Sequence, residues 1–288
     1  MSTLYPFCTE INLHVEGRIS SDDAARQAKT AREILKRLHK QPGLILADEV
    51  GMGKTFVALA VAVSVALENR GKRPVVVMVP SSLKEKWPAD FALFCEKCLP
   101  EHLAQRVRFG RAERAVEFLK LLDDPPSRRK SIIFLTHGAM SRGLNDHWVM
   151  LALIRQSLYR RKGIDRLRNA LCRSMGDLLQ MKGVQNRDPD IWMKLLKTPP
   201  GDWLPILEEL GLKELGLKND DPVPAAVVKV LPKLDTSSVL EAVQQIPLRR
   251  SKNYHDHVLN ARHVIKNEVR SLWKECLEKT RLRLPLLI

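Results

Sequence analysis

Polar and apolar positions along the chain fall into two regimes. Up to about residue 140, short unbroken apolar runs alternate with helical stretches. Ser20-Ser21-Asp22-Asp23 offers a cap for a helix running to about His39, with Ala25, Ala28, Ile34, Leu35 and Leu38 as its apolar face and Gln41-Pro42-Gly43 as its stop. Leu44-Ile45-Leu46-Ala47, bounded by turn residues, reads as a strand. Phe56–Glu68 is apolar almost all round, as expected of a helix wedged against a sheet, and Gly71 ends it. Pro74–Pro80 is a β-branched run without alternation, the pattern of a strand buried on both faces of a parallel sheet. Glu101–Leu122 reads as helical and basic and is stopped by Pro125-Pro126, after which Ser131–Thr136 is another buried strand. Strands alternating with helices predict an α/β doubly wound sheet.

From about Ser141 to Lys274 apolar residues recur at helical spacing, broken at Pro189, Pro199-Pro200-Gly201, Pro222 and Pro224. This is expected to be a helical insertion. Leu284–Ile288 then reads as one more buried strand that has barely begun. The organisation expected is a sheet-bearing part over 1–140, a basic helical insertion over 141–274, and a return to the sheet over 275–288.

Composition narrows the classes. The 288 residues are 44% hydrophobic, enough for a full core, and 48 basic against 33 acidic residues leave a formal charge of +15. Such a surplus favours polyanions, nucleic acid or an anionic membrane surface, without choosing between them. The longest apolar run, Val57–Leu67, is too short to span a bilayer and contains Ser64, and Met1–Cys8 lacks a basic region followed by an apolar one, so the chain reads as cytoplasmic with no membrane partner. Five scattered cysteines suggest no disulfide framework. Cys95 and Cys98 form a CxxC that reads as two thiols on a helical face, since one pair cannot complete a four-ligand zinc site. His255-Asp256-His257 reads as a solvated polar turn. Trp148, Tyr159, Trp192 and Trp203 have the chemistry to stack on bases, but among leucines at helical spacing they read as core.

One motif carries chemistry. Asp48-Glu49-Val50-Gly51-Met52-Gly53-Lys54-Thr55 ends in the GKT of a phosphate-binding loop, with Asp48 where the general pattern has its first glycine. Gly51 and Gly53 free the backbone to turn successive N–H groups toward phosphate oxygens, and the helix starting near Gly53 adds its positive end. Lys54 is placed to reach the β- and γ-phosphates and the Thr55 hydroxyl to ligate magnesium. The cofactors expected are therefore ATP and Mg2+.

Leu46–Thr55 also resembles the LADExGxGKT motif of Swi/Snf-type superfamily-two helicases. Val77-Met78-Val79-Pro80-Ser81-Ser82-Leu83-Lys84-Glu85-Lys86-Trp87 is similar to that family's second motif, and Ile132–Gly138 resembles a third, with His137 where Tyr is common. The resemblance implies a RecA-like P-loop parallel sheet, here incomplete and carrying a large helical insertion. It implies nucleotide contacts from Asp48, Glu49, Gly51, Met52, Gly53, Lys54 and Thr55. Pro80, Ser81, Ser82 and Lys84 become nucleic-acid contacts, to DNA in preference to RNA. Gln27 becomes either an adenine-reading glutamine or a solvent-facing residue of an amphipathic helix.

A hydrolase of this kind needs a second carboxylate pair, to hold magnesium and orient water. No apolar strand ends in Asp-Glu; Leu121-Leu122-Asp123-Asp124 reads as a helix end. In the family's order Leu284–Ile288 resembles the strand that runs into a DEAH box, so the expectation is a front fragment without that box and without the second RecA-like lobe. The alternatives are a non-catalytic nucleotide- or nucleic-acid-binding protein, and a ring-forming ATPase with Asp123 as its metal carboxylate.

Overall fold

The computed structural model describes residues 5–47, 53–70, 72–139, 146–159, 161–181, 189–209, 222–281 and 285–288. They belong to two compact units, one of Met1–Arg142 with Arg281–Ile288 and one of Gly143–Thr280.

The first unit is built on two helices and a parallel sheet. Helix α1, Ser21–Leu38, starts where the Ser20 hydroxyl accepts from the Asp23 N–H; Asp22 and Asp23 lie at its positive end and Lys36 and Arg37 at its negative end. Its buried stripe is Ala24, Gln27, Ala31 and Leu35, while Ala25 is exposed. The face expected from the apolar residues alone is therefore rotated, because a glutamine belongs to the buried side. Helix α2, Lys54–Glu68, is buried from Leu59 through Ala66 and packs on α1. Ser64, inside this apolar run, donates its hydroxyl to the Ala60 carbonyl at 2.7 Å and accepts from the Cys8 N–H at 3.1 Å. Its polar atoms are thus satisfied at both bonds.

Strand β1 is Val75–Val79, followed after the turn Ser81–Leu83 by α3, Lys86–Cys98, and α4, Glu101–Ala104. Then come β2, Phe109–Ala112; α5, Ala115–Asp123; and β3, Ile132–Thr136. The sheet order is β1-β3-β2, all parallel, with Val77 opposite Phe134 and Gly110 opposite Ile133. β3 is central and buried throughout, which is why its sequence does not alternate. On the other side of β1, Leu287 bridges Val76 in parallel: Val76 donates to Leu286, Ile288 donates to Val76, and Met78 donates to Ile288. The core beneath gathers Phe91, Phe94, Val61, Val77 and Phe134, with Phe91 edge-on to Phe109 and Phe134.

Two expectations about the sheet are corrected. Glu101–Leu122 is not one helical stretch, since β2 interrupts it; a four-residue strand with one exposed arginine gives too little apolar signal to stand out. Leu44–Ala47 forms no strand. No ladder partner stands beside it among the described residues, and Ile45 is 89% exposed. An apolar run becomes a strand only where a neighbour takes up its N–H and C=O groups.

In the second unit every named element is helical. These are α6, His147–Leu158; α7, Asp165–Leu179; α8, Pro189–Lys197; α9, Trp203–Glu209; α10, Ala225–Val230; α11, Ser237–Gln244; and α12, Tyr254–Arg281. Trp148, Trp192 and Trp203 are core, Trp203 donating its indole N–H to the Leu195 and Thr198 carbonyls, both at 3.0 Å. Tyr159 is exposed, with the Arg155 guanidinium over its ring. His255-Asp256-His257 is no turn but the start of α12, next to Tyr254, whose hydroxyl donates to Asp177 at 2.9 Å. Among the described residues no helix is long and apolar enough to cross a membrane.

Candidate nucleotide site

Helix α2 ends at Glu68 and β1 begins at Val75. So short a link sends α2 back along the strand it precedes and leaves its N-terminus at the C-terminal edge of the parallel strands, the edge at which open α/β sheets bind ligands. Gly53 stands at that end with φ +77, in the left-handed region, and no side chain caps the helix. Phe56 and Val57 both donate to the Gly53 carbonyl, and no acidic residue occupies the first turn. Lys54 and Thr55 follow, both half-buried. A helix that opens on a left-handed glycine, without a side-chain cap and with a lysine and a hydroxyl next in line, suits a phosphate group. Asp48, Glu49, Gly51 and Met52, the rest of the expected loop, lie outside the described residues.

Gln27 is brought to the same place from α1. It is only 4% exposed, so the solvent-facing reading of this residue is overturned. A Cβ at position 53 would strike the Gln27 Nε2 and come within 2.8 Å of its Cδ. Glycine is therefore favoured at 53 by its φ, and a Cβ there would in addition displace the end of the Gln27 side chain. The Gln27 Oε1 is buried without a hydrogen-bond partner among the described residues, a condition that costs free energy and points to a missing donor.

The second expected cluster lies at the exit of β1, on the same edge of the sheet. Pro80, Ser81 and Ser82 are exposed. Lys84 is not open in the same way: its ammonium donates to both Glu113 carboxylate oxygens, at 2.9 and 3.0 Å, and Glu113 holds its pKa above the usual lysine value. Alongside, Arg111 pairs with Glu85 at 2.6 Å. These pairings join residues more than twenty apart in sequence, and nothing in local spacing announces them.

Three remaining candidates sit elsewhere. Asp123 ends α5 and Asp124 pairs with Arg128 at 3.4 Å, so this acidic pair is the helix end expected of it. Cys95 and Cys98 lie on α3, and burial pushes both thiols up to about 11, with Cys95 adding to the effect on Cys98. His137 starts a short helical turn after β3.

Comparison with known proteins matches residues 26–124, the stretch from the turn of α1 beside Gln27 to the end of α5, to a family of known domains. Residues 26–124 are an SNF2-related domain. Within this SNF2-related domain lie Gln27, Gly53, Lys54, Thr55 and the Pro80–Lys84 exit loop. The chain is 37% identical over 70 residues to Protein CHROMATIN REMODELING 4 of Arabidopsis thaliana, an alignment covering 24% of this chain and 3% of that protein. It is 38% identical over 71 residues to the RNA polymerase-associated protein RapA of Pseudomonas fluorescens strain SBW25, covering 25% of this chain and 7% of RapA. RapA of Stutzerimonas stutzeri strain A1501 is 35% identical over the same length. The likeness thus spans a small part of these much longer relatives. No solved structure matches the chain.

Proposed function

We infer that the SNF2-related unit is the ATP-binding lobe of a Swi/Snf-type helicase or translocase that acts on nucleic acid, DNA in preference to RNA. The observation that carries the reading is the packing of a buried Gln27, its Oε1 without a partner among the described residues, against Gly53 at the uncapped start of α2. A glutamine amide is complementary to adenine, whose edge presents one donor and one acceptor side by side, and the unpartnered Oε1 is the acceptor such an edge would engage. The residues present therefore fit a nucleotide. Asp48, Glu49, Gly51 and Met52 would contact the nucleotide, the backbone at Gly51 and Gly53 would donate to phosphate, Lys54 would supply charge to the terminal phosphates, and Thr55 would supply its hydroxyl to magnesium. Bound nucleotide would present a phosphoanhydride for cleavage; this unit's own residues bind and orient it. The exposed Pro80, Ser81 and Ser82, with Lys84, would contact the nucleic-acid backbone. A second RecA-like lobe is the expected partner that completes the site.

The test is Mg-ATP affinity by calorimetry for the wild type, Lys54→Ala and Gln27→Ala. Loss of a charge-assisted contact at Lys54 is expected to weaken binding at least about tenfold. Gln27→Ala is expected to erase a preference for ATP over GTP while leaving the phosphate contribution in place. Unchanged affinity in Lys54→Ala would remove the loop assignment, and an unchanged ATP-to-GTP ratio in Gln27→Ala would remove the base-reading role.

A further inference from the structure

Helix α12 of the second unit shows solvent a face whose charge is of one sign. From Leu259 to Lys274 the exposed residues include Asn260, His263, Asn267, Arg270, Ser271 and Lys274, with Arg262 and Lys266 half-buried beside them. Glu268 is the only acidic residue in that stretch. It is half-buried and accepts from the Ser238 hydroxyl at 2.9 Å, so its charge is engaged with the protein.

Arg262, Lys266, Arg270 and Lys274 follow one another at intervals of four, the spacing that stacks side chains along one side of a helix. Like charges at that spacing destabilise a helix, whereas a solvated helix gains by setting Glu four residues before Lys. Here nothing relieves the repulsion. Lys266 and Lys274 form no ion pair among the described residues, and Arg270 donates to the Asn267 amide oxygen at 2.9 Å. Burial first, and then the charges of Arg262 and Arg270, hold the Lys266 pKa below the usual lysine value. Arg262 has a structural duty, donating to the Asp177 and Leu178 carbonyls at the end of α7. Lys266, Arg270 and Lys274 have none, and their repulsion is a cost that folding alone does not explain.

A row of cations interleaved with amide and hydroxyl groups suits a polyanion of regular spacing. Four residues of helix advance about 6 Å, so Lys266 to Lys274 covers about 12 Å, over which one strand of a duplex offers about three or four phosphates. A membrane surface calls for several large apolar side chains on the same face, and here Leu259 is the one that is exposed. A protein interface is enriched in aromatic residues and depleted in lysine, the reverse of this composition.

We propose that this face of α12 binds the phosphate backbone of duplex DNA, with Lys266, Arg270 and Lys274 each taking one phosphate and Asn267 and Ser271 adding uncharged hydrogen bonds. The surface lies outside the matched residues 26–124. It rests on the functional reading above only in that both take nucleic acid as the partner.

The full chain, without nucleotide, is titrated against a fluorescein-labelled duplex of mixed sequence and about 20 base pairs, and anisotropy gives the affinity between about 50 and 200 mM KCl. The variant Lys266→Gln/Arg270→Gln/Lys274→Gln keeps good helix formers, and circular dichroism checks that it folds. Its salt slope is expected to be shallower by about 2.7, three contacts at about 0.9 each, with affinity at the low-salt end weakened at least about tenfold. A control of equal charge, Arg166→Gln/Lys197→Gln/Lys233→Gln, alters exposed residues of other elements and is expected to leave the slope in place. An unchanged slope in the α12 variant overturns the proposal and leaves the contacts of the first unit standing. An equal change in the control shows that only overall charge matters and overturns it too. Loss of binding to phosphatidylserine vesicles by the α12 variant, with its duplex affinity unchanged, assigns the face to a membrane and overturns the proposal. Absence of duplex binding by the wild type overturns it together with the nucleic-acid part of the functional reading, while the Mg-ATP titrations of Lys54→Ala stand apart from all of these outcomes.

Discussion

Replacing Gly53 by alanine probes the contact on which the nucleotide site rests. Two separate costs arise. A left-handed φ of +77 is strained for any residue with a Cβ, by roughly 1–2 kcal/mol. The new methyl also meets the Gln27 amide, 2.8 Å from its Cδ, and the buried side chain must leave its seat, at a further cost of about 1 kcal/mol or more. The expected destabilisation of the first unit is therefore about 2–3 kcal/mol. Removing the obstruction separates the two: in a Gln27→Ala background only the backbone strain remains, and Gly53→Ala is expected to cost about 1–2 kcal/mol there. The readout is native-state hydrogen exchange of the β3 amides, Ile132–Thr136, which belong to the first unit alone. An equal cost of Gly53→Ala in both backgrounds would show that the glutamine does not press on residue 53 and would refute the argument built on that contact.

Other outcomes follow from the same structure. Glu113→Gln frees the Lys84 ammonium, and DNA binding is expected to strengthen at low salt, with a salt slope steeper by about 0.9 for one added phosphate contact; an unchanged slope removes Lys84 from the interface. Cys95, Cys98 and Cys172, each pushed up to about 11 by burial, stay protonated at pH 8 and are expected to alkylate on the order of 100-fold more slowly with iodoacetamide than a free thiol, as judged by mass spectrometry of the folded chain. Tyr254 is raised to about 12, by burial first and then by its bond to Asp177, so the folded state holds its proton more tightly than the unfolded one. Its contribution is complete below the unfolded value near 10 and is lost as pH rises from there to about 12. Urea titrations of Tyr254→Phe across that window should show a shallower decline than the wild type.

What could be read from sequence divides along a physical line. α1, α2, β1 and β3 were legible because caps, apolar periodicity and β-branched runs are local signals, and each element is buried enough for its composition to show it. β2 was not, since Phe109-Gly110-Arg111-Ala112 owes its strand state to pairing with β3 rather than to its own residues. Leu44–Ala47 failed in the opposite sense: its composition favours a strand, but no ladder stands beside it among the described residues. At the site, Lys54 and Thr55 were named by motif, whereas the burial of Gln27 depends on how α1 turns toward α2, and a polar letter in a helix does not disclose that. The tie between Lys84 and Glu113 is a long-range pairing and left no trace in spacing.

Ser64 gains a larger meaning from this distinction. A helix that is apolar on every side can be turned about its axis with little change in what it buries, so α2 lacks an intrinsic bearing. The hydroxyl bonded to the Cys8 N–H supplies one, because a turn of even one residue, about 100°, would part the buried hydroxyl from that half-buried donor. Eleven positions upstream on the same rigid rod, Gly53 takes its heading from that bond. The serine works as an index pin, and the direction in which the lysine and threonine of the loop are aimed is set three turns away from them.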